Sequence, residues 1–253
     1  MKYYERLLEM GCFSRDDICT LTGNYNTAGT LLKRYLKKGY VMQVKRNLYV
    51  AVNLADRQPV VSKYNIAGRI TRSAYVSHHA AFEYYGCVNQ VSYQVEVSSE
   101  TPFTTFSFDG LTYMYIASRI KDGVITRPDG IRITDMERTV LDGIHDAEKV
   151  AGLEELLRCI ELIPSIREDK LLTYLVEYGK QVLYQKTGYI LRHFKSTFNL
   201  SEAFFNECAN NIGRSTRYLT GSRGETYNNE WRLMVPANLI KMTSKGVDVD
   251  ADV

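Results

Sequence analysis

Between Asn24 and Arg46 the sequence sets short hydrogen-bonding side chains ahead of a run of cations. Asn24, Asn26, Thr27 and Thr30 come first; Lys33, Arg34, Lys37, Lys38, Lys45 and Arg46 follow, and no Asp or Glu interrupts these 23 residues. Carboxamides and hydroxyls of this size can hydrogen-bond base edges, and the cations can hold phosphates. A helix face turned only to water usually mixes both signs of charge, so the acid-free run points to a polyanionic partner.

Other candidate constellations are weaker. His78 and His79 suggest a metal, but adjacent helical residues point about 100° apart and no third ligand lies at helical spacing, so both read as core or capping histidines. Asp135, Arg138 and Asp142 stand at i, i+3 and i+7 on one helix face. Carboxylates of a catalytic site could be arranged so, yet a ladder of helix salt bridges needs nothing more. A metal-dependent nuclease would use a carboxylate followed by Glu-x-Lys, and Glu96 and Glu230 lack the partner lysine. With no glycine-rich phosphate loop, no Gly-x-Ser-x-Gly elbow and no Cys-His pair in a recognisable context, neither an active site nor a cofactor or metal is expected.

The elements that must position the N-terminal residues can be read locally. Tyr4, Leu7 and Leu8 recur at helical spacing before Gly11. Ser14 and Asp17 form a capping box for a short second helix that buries Ile18 and Leu21 and ends at Gly23. Asn24 or Asn26 can cap a third helix with an apolar stripe of Ala28, Leu31, Leu32 and Tyr35, which leaves the hydrogen-bonding residues and cations on the other side. Val41 to Val50 then alternates around Arg46-Asn47 as a two-stranded ribbon with Lys45 and Arg46 near its tip. Three helices and a ribbon predict a winged helix-turn-helix over residues 1–58, with the third helix in the major groove of double-stranded DNA.

The remainder predicts an α+β domain over 59–243 and a frayed tail over 244–253. Pro59 lies in a polar stretch taken as the boundary. "VSYQVEVSS", two runs around Asp109-Gly110 and "IRI" read as a small, mostly antiparallel sheet, Thr134 and Glu137 as a capping box, and Asp146 to Phe198 as a helical layer. Of the +3 net charge, residues 1–60 hold ten basic and five acidic residues, or +5, so the rest sums to −2. No run reaches the roughly 18 apolar residues of a membrane span, the N-terminus has charges where a signal peptide has its apolar core, and five scattered cysteines form no Cys-x-x-Cys pair. These features predict a cytoplasmic protein with no membrane partner and reduced thiols.

The stretch "GYVMQVKRNLYVAVN" with the helical unit before it resembles the N-terminal domain of AbiEi-type antitoxins, the transcriptional regulators of abortive-infection type IV toxin-antitoxin systems. "AYVSHHAAFEYYG" is similar to the family's Ser-His-x-x-Ala-x-x-x-x-Gly helix, and "IRITDMERTVLDGI" to its strand and Thr-Asp-x-x-Arg-Thr-x-x-Asp helix. "TGYILRHF" and "NNEWRLMVP" resemble its C-terminal pattern, so the likeness runs from about residue 5 to residue 236. The resemblance implies repression of the protein's own operon at inverted repeats. It also implies that the second domain counters a nucleotidyltransferase-like toxin without a stable complex, with the Asp135, Arg138 and Asp142 face as the candidate antitoxin surface. A nuclease guided by the N-terminal domain, or a protein-interaction adaptor that binds no nucleic acid, remain as alternatives.

Overall fold

The structure, a computed structural model, describes residues 3–89, 91–221 and 225–237; the expected tail over 244–253 lies outside these. The chain is α+β and divides into two compact units, each made of three segments. The first comprises 1–76, 92–118 and 125–133, and the second 77–91, 119–124 and 134–253. The expected boundary after residue 58 therefore falls inside the first unit.

That unit begins with α1 (Tyr4–Met10), β1 (Cys12–Phe13), α2 (Arg15–Thr22), α3 (Tyr25–Lys37), β2 (Val41–Lys45) and β3 (Leu48–Ala51). The three strands form a sheet in the order β1-β3-β2. Ser14 and Asp17 close a reciprocal capping box at α2, and Asn24 caps α3. Tyr4, Leu7, Phe13, Ile18, Ala28, Leu31, Leu32, Tyr35, Val41 and Ala51 pack into one core contained within these elements. The polar stretch after β3 is an ordered turn: Asn53 and Gln58 are hydrogen-bonded, Val52 bridges Pro59, and the Val60 amide donates to the Ala51 carbonyl.

There follow α4 (Lys63–Ala67), β4 (Tyr75–Val76), α5 (His78–Tyr84), β5 (Gln94–Ser99), β6 (Phe106–Phe108), β7 (Leu111–Ala117), β8 (Val124–Thr126) and β9 (Arg132–Thr134). The strands β4 to β9 form a six-stranded sheet ordered β6-β7-β5-β4-β9-β8. It is mixed rather than mostly antiparallel. The β6–β7 and β4–β5 pairs run antiparallel, but β5–β7 and β4–β9 run parallel. Asp109 and Gly110, both at positive φ, make the tight β6–β7 turn that such a pair of residues permits.

The second unit is largely helical: α5, then α6 (Met136–His145), a 3₁₀ turn at Ala147–Val150, α7 (Leu153–Glu161), α8 (Glu168–Tyr178), α9 (Gln181–His193), α10 (Lys195–Phe198) and α11 (Glu202–Asn210). A cap lies one residue later than expected. Asp135, not Thr134, caps α6 by accepting from the Arg138 amide, while the Thr134 hydroxyl bonds that of Thr139. A third sheet, which the sequence reading did not anticipate, contains β10 (Arg217–Tyr218), β11 (Glu225–Asn228) and β12 (Leu233–Pro236) in the order β10-β12-β11. Here Gly188 on α9 receives the ring of Trp231. A Cβ at Gly188 would lie 2.1 Å from it, and buried Gln185 donates to the Trp231 carbonyl at 3.0 Å.

Candidate nucleic-acid interface

The face of α3 opposite its buried stripe carries Asn26, Thr27, Thr30, Lys33, Arg34 and Lys37, all exposed. Asn24 has a different position from the rest. Its carboxamide oxygen accepts from the Asn26 and Thr27 amides at 2.9 and 3.0 Å, so that oxygen is committed to ending the helix.

One cation of this surface escaped the sequence reading. Arg15, in the first turn of α2, lies across α3 with its guanidinium carbon 3.7 Å from the centroid of the Tyr25 ring and Nη2 donating to the Tyr25 carbonyl at 3.3 Å. Gly29 makes the crossing possible, because a Cβ there would lie 2.8 Å from Nη2. A glycine in the middle of a helix disfavours it by about 1 kcal/mol relative to alanine, and its presence in "NTAGTLLK" was the available signal. Arg15, Asn26, Gly29, Thr30, Lys33 and Tyr49 line a groove of about 490 Å³ along α3. It offers carboxamide, hydroxyl and cationic donors together.

The two cations near the hairpin tip diverge. Arg46 is exposed, whereas Lys45 is half-buried, with its ammonium 5.3 and 5.5 Å from the ring centroids of Phe103 and Phe106. Burial holds the Lys45 pKa below the ordinary lysine value. Asn47, at φ 61°, turns the chain and accepts from the Arg15 amide at 3.0 Å, which ties the tip to the start of α2. Below the tip, Arg46, Arg69, Arg72 and Arg132 line a second groove of about 660 Å³ in the same unit. Arg69 pairs with Asp17 at 3.0 Å, and Arg132 donates to the Arg72 carbonyl at 2.7 Å. These cations lie far apart in sequence, so no local charge run announced them.

The Asp135, Arg138 and Asp142 face is interior: the three are 6, 1 and 2 % exposed. Arg138 Nε donates to Asp142 at 2.7 Å, and Nη1 donates to the carbonyls of Ile120 and Asp122 at 3.1 and 2.7 Å. The Tyr178 hydroxyl donates to Asp142, and the Tyr174 hydroxyl and the Lys170 ammonium donate to Asp135 Oδ2 at 2.7 and 2.8 Å. Burial and the neighbouring carboxylates push both tyrosine pKa values up. The cluster fastens the 119–124 segment to α6 and, Lys170 apart, is withdrawn from solvent. The expected i, i+3, i+7 ladder is thus half formed: Arg138 bridges to Asp142 through its side chain and to Asp135 through its backbone.

His78 and His79 also diverge. The His78 Nδ1 lies 2.9 Å from Ser77 Oγ, and burial lowers the pKa of this ring. Glu96 is buried in β5 of the first unit, whereas Glu230 of the second is ion-paired with Arg192 at 2.9 Å.

No family model matches the chain, and no curated protein does. Among solved structures, the crystal structure of the Rv2827c protein from Mycobacterium tuberculosis is similar, with a TM-score of 0.63 at 12 % sequence identity over 97 % of this chain and 96 % of that one. The likeness is one of fold, sustained over nearly the whole of both chains. No helix among the described residues is long and apolar enough to cross a membrane.

Proposed function

We propose that this chain is a cytoplasmic DNA-binding transcriptional repressor and the antitoxin of a type IV toxin-antitoxin system, in line with its resemblance to AbiEi-type antitoxins. The observation that carries the DNA-binding part is the exposed, acid-free face of α3 beside the Arg46 hairpin. The order α1-β1-α2-α3-β2-β3 with sheet order β1-β3-β2 supports reading residues 1–58 as a winged helix-turn-helix. In this reading Asn26, Thr27 and Thr30 meet base edges, while Lys33, Arg34, Lys37 and Arg46 hold phosphates. Lys45 contributes mainly through its packing on Phe103 and Phe106. The protein is not an enzyme in this reading, and burial of Glu96 together with the ion pairing of Glu230 argues against the nuclease alternative.

Binding of the full chain to a duplex from its own promoter, followed against a scrambled duplex over a range of salt, tests the proposal. Three to four phosphate contacts give a slope of log K against log salt of about −3 to −4. Asn26→Ala or Thr30→Ala should reduce discrimination between the duplexes by about 1 to 3 kcal/mol for a good base-edge contact. Arg46→Ala should weaken both duplexes alike. A flat salt response would reject DNA binding in favour of an adaptor. The antitoxin part rests on the family resemblance, and failure of the chain to relieve growth arrest by the nucleotidyltransferase-like toxin encoded beside it would remove it.

A further inference from the structure

The first turn of α5 and the middle of α7, both in the second unit, bring three donor groups together. His79 Nε2 lies 3.7 Å from Glu155 Oε1, and Cys159 Sγ lies 3.7 Å from the same oxygen. One donor atom from each of the three residues lies within 4.8 Å of the other two. His79 is 5 % exposed and Cys159 fully buried, while Glu155 keeps 18 % of its side chain in reach of solvent.

The imidazole of His79 is the informative group. Its Nδ1 is buried with no hydrogen-bond partner among the described residues, and its Nε2 stands too far from Glu155 for a hydrogen bond. No hydrogen bond among the described residues fixes this ring, so Nε2, the nitrogen that faces Glu155, is available to a cation as a ligand atom.

We propose that His79, Glu155 and Cys159 form a binding site for a divalent cation of the zinc class, which fastens α5 to α7. Zinc lies about 2.0 to 2.3 Å from nitrogen, oxygen and sulfur ligands, and tetrahedral geometry then separates the ligand atoms by about 3.5 Å. The two 3.7 Å separations approach that value with no ion in place. Charge fits as well. One carboxylate, one thiolate and a neutral imidazole cancel a doubly charged cation, so the occupied site is neutral within an apolar interior. On binding, the Cys159 sulfur forms a bond to the cation and its proton leaves to solvent. A thiolate and an imidazole disfavour magnesium and calcium, which take oxygen ligands. Glu155 and Cys159 stand four apart on one face of α7, so His79 finds both of its fellow ligands on a different helix, where helical spacing from the histidines could not point.

The test uses the full-length, fully reduced protein, stripped with a chelator and titrated with cobalt(II) and then zinc. We expect one equivalent to bind, with a thiolate-to-cobalt charge-transfer band and the intense visible bands of tetrahedral cobalt, and zinc to raise the thermal midpoint. Cys159→Ser should abolish the charge-transfer band, and Cys87→Ser should retain it. Glu155→Gln, a change of similar shape at a partly exposed position, should weaken binding at least about tenfold. Absence of the band in the folded wild type, its survival in Cys159→Ser, or an unchanged affinity in Glu155→Gln would each overturn the site. None of these outcomes depends on DNA binding.

Discussion

Arg138 is the residue at which the sequence reading and the structure differ most in meaning. Its partner spacing was legible, since i, i+3 and i+7 fall on one helix face in any register. Its burial was not, because α8 and the 119–124 segment that cover it are distant in sequence. Arg138→Ala would leave Asp142 buried without the guanidinium that donates to it, and would take one donor from the carbonyls of Ile120 and Asp122. Breaking a buried pair from one side costs about 3 to 5 kcal/mol. We therefore expect chemical denaturation to report a loss of that size, with any loss of the proposed antitoxin activity following the unfolded fraction. A variant that kept its stability but lost protection would instead give this buried cluster a direct role. The α3 candidate residues were legible for the opposite reason: cap, apolar stripe and exposed face all lie within one short stretch of chain. Arg15 and Arg72 were missed because their relation to that stretch is made only by folding.

Among the elements, α1 to α3 and the β2–β3 hairpin follow from local signals, whereas the six-stranded sheet does not. Its parallel pairs join strands that do not follow one another in the chain, and β4 has only two residues, too few to carry a period. The α9 to β12 contact lies between these cases. "TGYILRHF" and "NNEWRLMVP" each stood out in the sequence, but nothing local said that Gly188 of one would accept Trp231 of the other. That contact makes a sharp prediction. Although alanine is the better helix former, Gly188→Ala should destabilise the protein by about 1 to 3 kcal/mol through overpacking, read as a lowered denaturation midpoint. If Trp231→Leu is combined with it, part of the loss should return, because the smaller side chain vacates the space that the new methyl needs. A stabilised Gly188→Ala would mean that the indole is not seated on α9.

At the scale of the whole molecule, several histidines make stability depend on pH. Burial and the adjacent Lys180 ammonium lower the His145 pKa from an ordinary value of 6.5 to about 4, and burial lowers His78 and His193 in the same direction. The unfolded chain therefore takes up protons at a higher pH than the folded one, so stability is full above about 6.5 and falls as pH drops toward 4. His145 can contribute at most about 1.4 kcal/mol per pH unit in that window. Denaturant midpoints measured from pH 7 downward should decline, and His145→Asn should flatten part of the decline; an unaltered slope would remove His145 from the account. The division of the chain into alternating segments has a consequence for synthesis. The core of residues 1–51 can close while translation is still in its first quarter. The β4 edge, however, has no partner on its outer side until β9 has been made. Until then a nascent chain holds a finished N-terminal core and an unfinished, adhesive strand edge at the same time. Slowing translation after residue 99, when β5 is made and β9 is not, would lengthen that interval and favour aggregation, even with every side chain unchanged.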